Sequence, residues 1–170
     1  MSLMQSLPLL AAALLLLAVA LIDIRVFLIP NPISLAILLL WPAAWATGVP
    51  VPGLQSASAA FALVAVLAGI QWHLGRTVKW LRFGGGDWKL LSVLAPWAGL
   101  EALPHMVLVT ALAGGAECVA LLVARRLVPA DSPLRRSAWA GPVLGASGVP
   151  YGVAIAIGGI VVILDAAMRS

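Results

Sequence analysis

The stretch RFGGGDWK occupies residues 82–89, between two long apolar segments. It places three glycines directly before the carboxylate of Asp87. An acidic residue at the edge of hydrocarbon is energetically costly and is commonly functional. Glycines allow closer backbone approach to a neighbour than other residues do. A second aspartate, Asp23, ends the first apolar segment in a similar setting, so we expect the two acids to form one site.

The composition predicts a membrane protein. Of the 170 residues, 63% are hydrophobic and 9% are charged, and the mean hydropathy is +1.11. Soluble domains carry about 25% charged residues, so this apolar surface is too large for water. The length accommodates about six membrane helices of about 20 residues each, joined by short loops. We therefore predict an all-α, polytopic integral membrane protein in which residues 1–170 form a single transmembrane domain.

Prolines, glycines and charged residues divide the apolar sequence into six predicted helices. These cover residues 7–24, 33–47, 55–75, 88–101, 104–124 and 150–165. The first is predicted to be a retained helix and not a signal peptide, because no basic residue precedes it and further spans follow.

The basic residues predict the orientation of these helices. With the N terminus outside, nine of the ten basic residues fall in inner loops and only Arg169 lies outside. The inner set is Arg25, Arg76, Lys79, Arg82, Lys89, Arg125, Arg126, Arg135 and Arg136. An excess of Lys and Arg marks the cytoplasmic side, so both termini are predicted to lie outside. Asp23 and Asp87 then share the inner face, although 64 residues separate them.

Two neighbouring carboxylates can carry out hydrolysis. They cannot easily both be ionised, so they share a proton and titrate as a pair. One then activates a water while the other donates a proton to a carbonyl oxygen, as in aspartic proteases. This chemistry requires no metal and no cofactor. A structural alternative remains open at this stage, because interfacial aspartates also cap helices or pair with a nearby arginine, here Arg25.

The glycine-rich stretch resembles a known signature. Residues 84–89, GGGDWK, are similar to the G-x-G-D-x-K motif of the type IV prepilin peptidase family. The matching positions are Gly84, Gly86, Asp87 and Lys89.

Two further stretches resemble the same family. Asp23, followed by Arg25 and then by IPN at residues 29–31, is similar to the family's aspartate before an I-P-N turn. PYGVAIA, residues 150–156, is similar to its C-terminal P-[YF]-G-x-A stretch. The three matches occur in family order and span residues 23–156.

The resemblance implies an aspartic endopeptidase of the bacterial cytoplasmic membrane. Such an enzyme cuts the basic leader from type IV prepilin-like precursors at the cytoplasmic face. The implied catalytic residues are Asp23 and Asp87. The implied supporting residues are Gly84, Gly86, Lys89, Arg25, Pro30 and Asn31. The expected partners are prepilin-like precursors, membrane lipid and components of a pilus or secretion assembly; nucleic acid, metal and cofactors are not expected.

The sequence departs from the larger members of that family. Those members carry an additional N-terminal segment with a four-cysteine domain, and they also N-methylate the mature pilin. This chain has one cysteine. It resembles the short form associated with tight-adherence (Flp) pili, so we expect peptidase activity without methyltransferase activity.

Two functions from other classes compete with the peptidase. In the first, the chain is a catalytically silent membrane scaffold of a pilus or secretion assembly, and the acids only brace helices. In the second, it is a proton-coupled transporter, which is disfavoured because both acids lie at one face and not near the membrane midplane. Glu117 is intramembrane and either bonds within the bundle or tunes the aspartate pair. His73 and His105 are predicted at opposite ends, so a shared metal is not expected.

Overall fold

The computed structural model describes residues 2–77, 84–146 and 148–169, and these residues form seven helices and no strand. The helices are α1 (Leu3–Val26), α2 (Asn31–Ala46), α3 (Leu54–Thr77), α4 (Gly85–Leu127), α5 (Pro133–Arg136), α6 (Ala140–Gly145) and α7 (Gly152–Met168). The predicted all-α class is confirmed. Lys79, Arg82 and Phe83, which the sequence placed in the inner loop, lie outside the described residues.

The prediction of two helices over residues 88–101 and 104–124 is confirmed in number, but the break between them lies earlier than predicted. The segment α4 spans 43 residues in two helical halves, and the single non-helical position between them is Gly99, with φ 60° and ψ −178°. Side chains disfavour this backbone conformation, and glycine adopts it freely. The break therefore falls at the glycine and not at the following polar residue, Glu101.

The two halves of α4 fold back on each other at Gly99. A straight helix of this length would extend about 65 Å, twice the hydrocarbon thickness of a bilayer. Adjacent residues of α7 nevertheless contact both halves, since Gly158 packs against Thr110 and Gly159 against Leu94. The N–H of Leu100, left without a helical partner at the break, donates to Ser56 Oγ at 2.9 Å.

Within the ranges that the structure describes, three helices are long and apolar enough to cross a membrane, namely α1, α3 and α4. The helices α2 and α7 are also apolar but shorter, with 16 and 17 residues. This pattern agrees with a polytopic membrane protein. Many large apolar side chains face outward, Leu14 and Val66 among them, as lipid contact requires.

The core lies between α1, α2, α3, α4 and α7. Its largest fully buried side chains include Trp97, Leu16, Ile37, Leu94 and Ile155. The indole N–H of Trp97 donates to the Ile37 carbonyl at 3.0 Å, so the ring's polar atom is satisfied inside the bundle.

Two arginines hold the segment between α4 and α7. Arg125 donates to the carbonyls of Val143 and Gly148, at 2.8 and 2.5 Å. Arg135 donates to several carbonyls, including those of Val128 and Leu144, each at 3.0 Å. The sequence assigned these arginines only to topology; they also satisfy carbonyl groups that end helices.

Candidate active site

Asp23 lies in the last turn of α1 and is buried, with 5% of its surface exposed. The helix ends four residues later, because Phe27 adopts a left-handed conformation (φ 52°, ψ 41°) and returns its N–H to the Asp23 carbonyl at 2.9 Å. The side chain of Asp23 accepts a hydrogen bond from the N–H of Gly152, at 2.7 Å from Oδ2. Gly152 is the first residue of α7, so this contact joins the first long helix to the last.

Asp87 lies in the first turn of α4, where the backbone of Gly84 surrounds it. Its carboxylate accepts a hydrogen bond from the N–H of Gly84, and its own N–H donates to the Gly84 carbonyl at 3.1 Å. A third-position side chain that bonds the N-cap N–H is one half of a capping box. A Cβ on Gly84 would lie 2.5 Å from Asp87 Oδ2, so only glycine leaves room for this arrangement.

The two aspartates lie at the same end of the bundle and interact electrostatically. The sequence predicted this shared end from the alternation of the helices and the positions of the basic residues. Arg25 does not neutralise Asp23, because its guanidinium stacks on the Trp139 ring, 3.3 Å from the ring centroid. Within residues 2–77, 84–146 and 148–169 the one ion pair joins Asp165 and Arg169, at 2.6 Å.

Lys89 connects the two motif regions. Its ammonium donates to the carbonyl of Ile29 and to Asn31 Oδ1 at 2.7 Å. A Cβ on Gly86 would lie in ordinary contact with the Ile29 side chain, at 3.5 Å. The turn after α1 therefore packs directly on the start of α4.

Pro30 and Asn31 shape that turn. Pro30 is extended (φ −66°, ψ 133°) and precedes α2, and Asn31 is the first residue of that helix. The Pro30 carbonyl accepts from both the N–H and the hydroxyl of Ser34, at 3.2 and 3.1 Å. The turn is thus fixed by hydrogen bonds at the start of α2 and, through Lys89, at the start of α4.

Two cavities open on either side of Lys89. The first has a volume of about 350 Å³ and lies between the α1–α2 turn and α4. It is lined by Phe27, Leu28, Ile29, Asn31, Gly86 and Lys89. The second, of about 400 Å³, lies between α3 and α4 and is lined by groups that include Trp72, Trp88 and Ser92. Gly86 lines the first cavity and Gly85 lines the second, so both adjoin the turn that precedes Asp87.

Three of the four remaining acids and one histidine are divided between the two ends of the bundle. Glu101, His105, Asp165 and Arg169 line a cavity of about 700 Å³ at the end opposite the aspartates. Glu117 lies on the second half of α4 and interacts electrostatically with Asp23. Among the described residues, no group of three His, Cys, Asp or Glu side chains is arranged to hold a metal ion.

The sequence prediction of the site omitted Gly152 and Tyr151. The PYG stretch was noted as a motif, but no role was assigned to its residues. The sequence feature that could have identified these two residues is the motif itself, in which a glycine directly follows an aromatic residue at the start of an apolar helix. The contact between Gly152 and Asp23 spans 129 residues of sequence, a distance over which helical periodicity carries no information.

The fold and these contacts define a polytopic helical membrane protein with two acids at one end of its bundle. A family model described as the type IV leader peptidase family matches residues 10–119. This chain therefore belongs to the type IV leader peptidase family.

Individual proteins that are similar to this chain have names that agree with this family. The prepilin leader peptidase/N-methyltransferase of Pectobacterium carotovorum subsp. carotovorum is 32% identical over 126 residues, which are 73% of this chain and 44% of that protein. The protein of the same name from Burkholderia pseudomallei (strain 1026b) is 37% identical over 111 residues, 59% of this chain and 33% of that protein. The chain thus spans less than half the length of these relatives. No solved structure gives a significant match.

Proposed function

We propose that this chain is a membrane aspartic endopeptidase that removes the basic leader from prepilin-like precursors, with Asp23 and Asp87 as its catalytic pair. One observation carries the proposal: three motifs distant in sequence meet at one end of the bundle, where the two carboxylates interact. The family and the names of the relatives agree with this reaction.

The reaction requires one carboxyl group protonated and the other ionised. The ionised carboxylate takes a proton from water as the water oxygen attacks the scissile carbonyl carbon. The protonated acid donates to the carbonyl oxygen, which becomes a hydroxyl. The C–N bond then breaks as the amine nitrogen takes the proton that the first carboxyl group gained from water. One hydroxyl of the tetrahedral intermediate returns its proton to the second carboxylate as the C=O bond re-forms, so that the pair again holds one proton. Gly84 and Gly152 hold the carboxylates by their N–H groups, and no step uses a metal or cofactor.

The location of the site supports the choice of substrate. A precursor with a basic leader in the cytoplasm and an apolar helix in the membrane presents its junction at the inner interface. The positive-inside count supports a location of the aspartates at that interface of the bacterial inner membrane, with both termini outside. The turn formed by Gly84–Gly86 and the adjoining cavities offer room for an extended peptide backbone.

A direct test is cleavage of a co-expressed prepilin-like precursor by wild type, Asp23→Asn and Asp87→Asn. We expect each variant to lose at least about 100-fold of the activity, because each removes one partner of acid–base catalysis. Asp165→Asn is the matched control, since Asp165 is half-buried and paired with Arg169 at the opposite end. Near wild-type cleavage by either site variant, at equal membrane levels, would refute the catalytic pair.

The finer assignments are tested in the same system. We propose Flp-type pilins as the natural substrates, and a larger type IV pilin precursor supplied in parallel tests that preference. We also propose peptidase activity alone, so the mature N terminus is expected to carry a free amine. Mass spectrometry of the cleaved product distinguishes it from an N-methylated one.

A silent scaffold is the second candidate, and one observation favours it. Each carboxylate accepts an N–H at the start of a helix, Gly152 for Asp23 and Gly84 for Asp87. Such bonds stabilise helix ends without any catalysis. A scaffold predicts that wild type leaves every precursor uncut, whereas the asparagine variants lower the amount of protein in the membrane.

A further inference from the structure

Glu117 is a third acid at the end of the bundle that holds the two aspartates. It is half-buried on the second half of α4, and its Oε2 atom is buried without a hydrogen-bond partner among the described residues. A buried carboxylate oxygen without a partner is destabilising, and its presence in a folded protein requires an explanation. The leader-peptidase reaction as derived above does not use it.

The ring of Tyr151 packs on the face of α4 that carries Glu117. A Cβ on Gly114 would fall 2.2 Å from Tyr151 Cε2 and 2.9 Å from its hydroxyl oxygen, so the hydroxyl side of the ring lies directly against this glycine. Gly114 and Glu117 are three residues apart and share a helix face. Burial, and then the carboxylates of Asp87 and Glu117, raise the pKa of Tyr151 above its ordinary value. The hydroxyl therefore keeps its proton at neutral pH and remains a donor.

Tyr151 in turn positions the donor to Asp23. It directly precedes Gly152, whose N–H bonds Asp23 Oδ2 at 2.7 Å. A rotation of the Tyr151 residue moves this peptide, because the C=O of Tyr151 and the N–H of Gly152 belong to one rigid plane. Glu117 also interacts with Asp23 electrostatically.

We propose that Glu117 is a positioning residue: it holds Tyr151 against Gly114 and thereby fixes the Gly152 N–H on Asp23. The proposal rests on the proposed peptidase function, because what it positions is a catalytic carboxylate. Glu117 does not contact the scissile bond. Its effect reaches the reaction through Tyr151 and Gly152.

The kinetic test compares Glu117→Leu with Glu117→Gln. Leucine removes the polar group at similar volume, and glutamine keeps a side-chain oxygen that is able to accept a hydrogen bond. We expect Glu117→Leu to lower kcat by about 10-fold with KM little changed, since a misplaced catalytic group lowers the rate of the chemical step. Glu117→Gln should restore most of kcat. Tyr151→Phe should match Glu117→Leu, and the double variant should be no worse than either single one.

Glu101 provides the matched control. It is an exposed glutamate on the same helix, at the opposite end of the bundle. Glu101→Leu and Glu101→Gln should leave kcat and KM unchanged.

A second readout is independent of cleavage. The sequence contains one tyrosine, so tyrosine labelled with ¹³C at the ring carbon that bears the hydroxyl gives a signal from Tyr151 alone. Both Glu117 variants remove a nearby negative charge and should lower the pKa of Tyr151 in an NMR titration of the detergent-solubilised full chain. The Glu101 variants should leave this titration unchanged.

The possible results separate the two proposals. An unchanged Tyr151 titration in both Glu117 variants would show that the residues are not neighbours, whatever the cleavage result. A changed titration with normal kcat in Glu117→Leu would confirm the contact and refute positioning. Absence of cleavage by wild type refutes the peptidase and with it the positioning role, and the titration still tests the contact.

Discussion

The two aspartates are held in different ways. Asp23 is buried, and its donor comes from Gly152 on another helix, 129 residues away. Asp87 is half-buried, and its donor is Gly84, three residues before it in the same turn. One carboxylate is therefore placed by the packing of α1 against α7, and the other by the local conformation of a single helix start.

This difference predicts that a substitution beside Asp23 lowers the stability of the bundle, whereas one beside Asp87 changes only the geometry of the site. A change beside Asp23 must move two helices in the core, and core displacement lowers the free energy of unfolding. A change beside Asp87 moves the end of one side chain, and the bundle can remain intact. The two motif glycines, Gly152 and Gly84, allow the same substitution to test both settings.

The largest effect is expected for Gly152→Ala. The new Cβ would lie 2.7 Å from Asp23 Oδ2 and 3.2 Å from Asp23 Cβ, so α1 and α7 must separate. We expect a loss of about 1–3 kcal/mol in the free energy of unfolding and of about 100-fold in cleavage rate. Thermal unfolding in detergent and precursor cleavage provide the measurements. Gly69→Ala is the control, because a Cβ there meets nothing within 4 Å; equal behaviour of the two variants would contradict the close packing.

An intermediate effect is expected for Gly84→Ala. A Cβ there would meet only the end of Asp87, 2.5 Å from Oδ2, so the carboxylate turns away and the backbone remains. Cleavage should fall about 10-fold while the unfolding temperature stays within error of wild type. Gly85→Ala, with nothing within 4 Å, should retain activity. If Gly84→Ala unfolds as readily as Gly152→Ala, the Asp87 turn is part of the core and the contrast between the two acids fails.

The smallest effect is expected for Asn31→Ala. Lys89 loses one of its two acceptors and keeps the Ile29 carbonyl. The expected loss of unfolding free energy is about 1 kcal/mol, typical of one hydrogen bond. Cleavage should fall only a few-fold, because the turn after α1 stays attached to α4. Asn31→Asp retains the acceptor and should behave as wild type; a loss in both variants would mean that the amide nitrogen and not Oδ1 makes the important contact.

The sequence predicted correctly that the two aspartates lie at one end of the bundle, but it predicted the helix boundaries less accurately. The alternation of the predicted spans was sufficient to place Asp23 and Asp87 at one end, and the distribution of Lys and Arg predicted that this end is the inner one. The break in α4 was assigned three residues or more too late. Pro96 and Pro104 both indicate an interruption, but only the backbone identifies Gly99 as the residue with positive φ.

Contacts between helices that are far apart in the sequence could not be predicted from hydrophobic periodicity. Periodicity indicates which face of a helix is apolar, and here nearly every face is, because lipid and core are both hydrocarbon. The pairing of Gly114 with Tyr151 depends on the rotation of α4 against α7. The left-handed Phe27 is another example, since glycine or asparagine usually occupies that position after a helix.

The hydrogen bond from the Gly152 N–H to Asp23 can form only late in synthesis of the chain. Ribosomes add about 5–20 residues per second, so Asp23 emerges on the order of ten seconds before its donor. Throughout that interval α1 must be inserted with a carboxylate that lacks its final partner. The nascent chain cannot hold Asp23 in its mature setting until its last apolar helix has been translated.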